Sequence, residues 1–175
     1  ALLDSARRAL EANRGVPEPT LAWYWVKTGV ERAKTGETEK ARACYAKAFA
    51  LFPRSYKATL GLAQLAAKAG QWDEATMMAG RTLDVANSLD AKAVLGDACA
   101  ARGDLKGRDQ WYRVCLNMYR SECAAFGEKG KGGPHRVRPI DRQFAAFCAA
   151  RGLFVNEALP AALRDFDNRP DAAAR

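Results

Sequence analysis

The residues best suited to reactive chemistry are five cysteines, a single histidine and a lysine–glycine stretch. A nucleophile needs a base held within hydrogen-bond reach. The lone candidate base, His135, follows Gly127-Glu128-Lys129-Gly130-Lys131-Gly132-Gly133-Pro134, a glycine-rich run that is a poor holder for it. Cys44, Cys99, Cys115, Cys123 and Cys148 form no C-x-x-C pair, so no zinc spacing is present. Most fall on apolar helical positions and read as small buried hydrophobes in a reducing, cytoplasmic setting. Lys129-Gly130-Lys131-Gly132 shares only composition with a phosphate-binding loop, because no strand precedes it. Asp73 and Glu74 are adjacent and face different sides of a helix, as charges in a first turn do. No catalytic residue, metal site or cofactor is expected, and the chain reads as a non-enzyme.

Surface chemistry remains. Lys129, Lys131, Arg136, Arg138 and Arg142 form a basic run that could hold a phosphate backbone, with Trp111, Tyr112 and Tyr119 near in sequence for stacking. Those aromatics lie on an amphipathic pattern that fits a core, and the basic run fits a solvated linker. Nucleic-acid binding is therefore the subordinate alternative. The formal net charge of +8 and pI near 9.4 favour acidic partners only weakly. No apolar run approaches the roughly 20 residues that span a bilayer, so no membrane insertion is expected. Ala1-Leu2-Leu3-Asp4 meets a charge at once, unlike a signal peptide. It opens inside a helical pattern without Met, as a piece of a longer protein would.

The elements that must position these residues are helices. Residues 2–14 show helical spacing, and Gly15 to Thr20 break it, with Thr20 a candidate cap. Helices are predicted near 21–34, 38–51, 56–69 and 72–86, with Trp72 packing at the start of the last. A further pair follows, its second helix running from near Leu105 towards Phe126. Residues 127–138 read as a mobile linker. Periodicity returns at Ile140, where Phe144, Phe147 and Cys148 share a face; Gly152 marks a turn, and Ala158, Ala162 and Pro170 echo the spacing of Ala41, Tyr45 and Pro53.

Trp25-x2-Thr28-Gly29, Gly36, Ala41-x3-Tyr45-x2-Ala48 and Pro53 together resemble a tetratricopeptide (TPR) unit, two antiparallel helices with small residues where they cross. Thr28 stands where the family prefers Leu, and Arg32 where it prefers Tyr. Gly36 recurs as Gly70 after the family's 34 residues and again as Gly103 after 33. Arg108 replaces a small residue expected inside a second helix, with Gly107 next door. The resemblance implies an all-α, right-handed TPR-like solenoid in one domain. Its parts are a half repeat or capping helix at 1–15, repeats at 22–53, 56–88 and 89–116, the loop 127–138, and a degenerate repeat at 139–170.

The same resemblance implies a groove lined by the first helices. The first unit supplies Trp23, Val26, Val30 and Lys34; the second Lys57, Leu60, Gln64 and Lys68; the third Asp90, Ala93 and Asp97. A protein or peptide with an apolar anchor and an acidic stretch fits that mixture. The implied role is a scaffold or adaptor. Val26 and Val30 occupy the positions where chaperone-tail clamps carry Lys and Asn, so a terminal-carboxylate clamp is not expected. Self-assembly through end faces left by missing neighbours is a further alternative.

Overall fold

Four turns set the architecture. Gly36, Gly70, Gly103 and Gly152 have φ of +78°, +72°, +77° and +64°, the left-handed region that glycine enters without a Cβ penalty. Each ends one helix and starts its antiparallel partner. The computed structural model describes residues 15–128 and 139–167, with residues 5, 8 and 12. Most of the half repeat expected at 1–15 lies outside the described residues. So do Lys129, Lys131, His135, Arg136, Arg138 and Pro170.

The described residues form eight helices and no strand: α1 (Glu18–Lys34), α2 (Thr38–Leu51), α3 (Tyr56–Lys68), α4 (Trp72–Leu83), α5 (Leu89–Ala101), α6 (Leu105–Glu128), α7 (Pro139–Arg151) and α8 (Val155–Asp167). They pair as α1–α2, α3–α4, α5–α6 and α7–α8, and α2, α4 and α6 also touch the first helix of the next pair. The first helices meet in the order α1–α3–α5–α7. A lone hairpin cannot cover its own apolar face, so stacking buries it. Thr20 does not cap α1. That helix opens two residues earlier behind Pro17, with Pro19 in its first turn, where a missing N–H costs nothing.

Close approach depends on small residues. Tyr45 of α2 is buried between α1 and α3. A Cβ on Gly29 would stand 2.8 Å from its ring, and one on Gly61 2.6 Å. Tyr112 of α6 sits against Gly96 of α5 in the same way, at 2.5 Å. Between these sockets the α3–α4–α5 contact is built from Ala63, Ala66, Ala75, Ala79, Ala91 and Val94. Thr59 and Thr82 add a buried hydroxyl pair 2.9 Å apart.

The last two pairs share an aromatic core. Tyr119 stacks on Phe144 at 4.0 Å, and Tyr112 meets Phe147 edge-on at 5.5 Å. In α8 the buried residue is Ala161, whereas Ala162 is exposed. Register counted from the turn glycine explains this, since Tyr45, Ala79, Tyr112 and Ala161 each fall nine residues after one. In α6, Gly107 rather than Arg108 faces α5, its hypothetical Cβ 3.1 Å from Cys99 Sγ. The cysteines are free; Cys44, Cys115 and Cys148 are buried, and burial pushes the Cys115 and Cys148 thiols up to about 11.

Candidate functional site: a groove along the first helices

Helices α1, α3 and α5 leave two adjoining cavities on one side of the stack. The first, about 440 Å³, is walled by Trp23, Val26 and Val30 of α1, Tyr56, Lys57, Leu60 and Gln64 of α3, and the start of α5 from Leu89 to Asp90. The second, about 370 Å³, is lined by Gln64 and Lys68 of α3 and by Asp90, Ala93 and Asp97 of α5. Phe147 and Arg151 of α7 close its far side. Tyr45, Gly61, Gln64 and Asp90 border both cavities, so the groove is continuous across the α3–α5 joint.

The structure thus brings ten of the eleven expected groove residues along this path. The exception is Lys34, which lies outside both cavities and pairs with Glu31 at 2.8 Å on the exposed side of α1. Val26 and Ala93 are largely buried and contribute mainly to the floor. Of the three aromatics considered for base stacking, Tyr112 and Tyr119 are core residues and Trp111 is partly buried. Of the basic run, the described residues contain Arg142, exposed on α7.

Charge is distributed unevenly. Lys27 lies over the Trp23 ring at 5.3 Å and Lys57 over Tyr56 at 5.8 Å; neither they nor Lys68 pairs with a carboxylate among the described residues. At the far end Asp97 is fully engaged. Arg151 donates from Nε to Asp97 Oδ1 at 2.8 Å and from Nη2 to Oδ2. The Tyr112 hydroxyl donates to the same Oδ1 at 2.7 Å. The guanidinium also lies over Phe147 and Tyr112, 4.7 and 5.6 Å from their ring centroids. Burial, then the bond to Asp97, pushes the Tyr112 phenol up to about 12. Burial disfavours the Arg151 charge, but the bonds and charge of Asp97 more than offset it.

Asp90 differs. It lies in the first turn of α5, behind the Ser88 cap. Among the described residues its carboxylate has no hydrogen bond or ion pair. Burial raises its pKa, and the nearby Arg151 charge only partly opposes that.

No protein-family model and no curated protein matches the chain. Among solved structures it is similar to YrrB, a TPR protein with an unusual peptide-binding site, at 19% identity and a TM-score of 0.55, covering 95% of this chain and 76% of that one. The fold is that of a tetratricopeptide-repeat protein. In TPR terms α1, α3, α5 and α7 are the first helices, whose inner faces make the groove, and Tyr45 and Tyr112 are wedges from second helices. Sequence reasoning missed Tyr45, Phe147 and Arg151 as groove residues. Gly29 and Gly61 were the available signal for the first; nothing in the sequence marks the others. No helix among the described residues is long and apolar enough to cross a membrane.

Proposed function

We propose that this TPR chain is a non-catalytic scaffold that holds an extended peptide segment of a partner protein in the groove of its first helices. The observation that carries this reading is the uninterrupted path from Trp23 to Asp90, with an apolar wall and unpaired lysines on its rim. Trp23, Val26 and Leu60 would bury an apolar anchor of the peptide. Lys57 and Lys68 would set its register by meeting acidic residues, because rim charges steer more than they bind. The helices are already stacked, so binding orders mainly the peptide.

Selection of displayed random 12-residue peptides on the whole chain tests this. Enriched sequences are expected to combine an apolar residue with acids, and to weaken about tenfold or more on a Lys57→Glu/Lys68→Glu protein. Enrichment indifferent to those changes and to Trp23→Ala would sink the reading.

A further inference from the structure

We propose that Asp90, with Tyr45 and Gln64 beside it, is a subsite for a cationic side chain, so that the groove's peptide carries an arginine or lysine at the α3–α5 joint. This rests on the groove reading above and adds a chemical requirement to it.

Three observations carry it. First is position: Asp90, Tyr45 and Gln64 are shared by both cavities, so a segment running through the groove must cross them. Second is lack of satisfaction. Among the described residues neither the Asp90 carboxylate nor the hydroxyl of the buried Tyr45 has a hydrogen-bond partner, and both residues line the two cavities. Asp90 is partly buried on the groove wall, and that burial raises its pKa, so its open carboxylate would gain from a cation brought within reach.

The third is an internal precedent. Two turns further along α5, Asp97 lies beside Tyr112, the wedge equivalent to Tyr45, and there a guanidinium fills the site: that of Arg151. At the end of the groove carboxylate and phenol are satisfied within the chain, while at its middle Asp90 and Tyr45 line the same cavities and stay open. Charge complementarity selects the occupant, since an acidic group at Asp90 would meet repulsion from a like charge. The peptide would then place its cation at Asp90 and its acids towards Lys57 and Lys68.

The test uses the peptides selected on the whole chain and measures their affinities by fluorescence polarisation. Enriched peptides should hold an arginine or lysine at a fixed distance from the apolar residue. Asp90→Asn should weaken the best of them about tenfold or more. Replacing that arginine by citrulline should cause a similar loss on wild type and almost none on the Asp90→Asn protein. The thermal midpoint of the free variant at pH 7 should equal or exceed that of wild type, because the buried charge is gone. Peptides that bind without a cation, or that bind Asp90→Asn as tightly, would overturn the subsite while Trp23 and Lys57 dependence keeps the groove. A lowered midpoint with no coupling to the citrulline exchange would assign Asp90 a purely structural part and also overturn it. Binding insensitive to every groove change would remove both.

Discussion

Arg151 closes on Asp97 across the end of the groove, 54 residues away in sequence, with Nε 2.8 Å from Oδ1 and Nη2 on Oδ2. The pair ties α7 to α5 with both side chains more than two-thirds covered. Removing either partner strands a half-buried charge. Arg151→Ala should cost about 1–3 kcal/mol, and a double-mutant cycle with Asp97→Ala should recover a coupling of about 1–2 kcal/mol in urea unfolding. The exposed Lys34–Glu31 pair should give no more than about 0.5 kcal/mol in the same experiment. Equal couplings would mean that α7 is not held by this contact.

Gly61 and Gly80 both lie inside helices, yet alanine should act oppositely at them. A Cβ at Gly61 meets the Tyr45 ring at 2.6 Å, whereas one at Gly80 has nothing within 4 Å. Gly61→Ala should destabilise by about 1–3 kcal/mol through overpacking. Gly80→Ala should stabilise by up to about 1 kcal/mol through helix propensity. Chemical denaturation midpoints decide it.

Acid sensitivity should centre on the first turn glycine. Glu37, next to Gly36, is held at about 2 by hydrogen bonds from Lys40 and then Arg32. A carboxylate whose folded pKa is depressed lends stability that is complete above its unfolded value near 4.5 and lost as pH falls through about 2. The thermal midpoint of wild type should therefore exceed that of Glu37→Gln at pH 6, and the two should converge as pH approaches 2. A constant gap would contradict this.

Trp23 is 45% exposed on the wall of the first cavity. Peptide binding should shift tryptophan emission to the blue as the ring loses water, and Trp23→Phe should abolish most of that shift while leaving the fold's circular dichroism unchanged. A shift that survives the substitution would locate binding elsewhere.

The fold was legible because turn glycines and small crossing residues are local signals. Gly36, Gly70 and Gly103 marked hairpins before any contact was known, and helical periodicity supplied the rest. Inward-facing positions of α1, α3 and α5 were equally readable, since a shared period fixes a shared face. Lys34 departed because it lies at the end of α1, beyond the groove, where Glu31 is its neighbour. Arg151 and Phe147 were hidden for another reason. They follow the glycine-rich run from Gly127 to Pro134 in the sequence, and no local pattern says which distant carboxylate an arginine will meet. Ala162 was misassigned in place of Ala161 because spacing was carried from the first unit instead of being counted from Gly152.

The buried thiols give the molecule a set of internal clocks. Cys44 sits on α2, Cys115 on α6 and Cys148 on α7, each inside a different hairpin. Burial pushes the latter two up to about 11, so in the folded protein they stay protonated and poorly reactive, and the reagent must wait for the helix to lift. Alkylation followed residue by residue in the native protein would time the opening of each hairpin separately, and the order of labelling would reveal from which end the array comes apart.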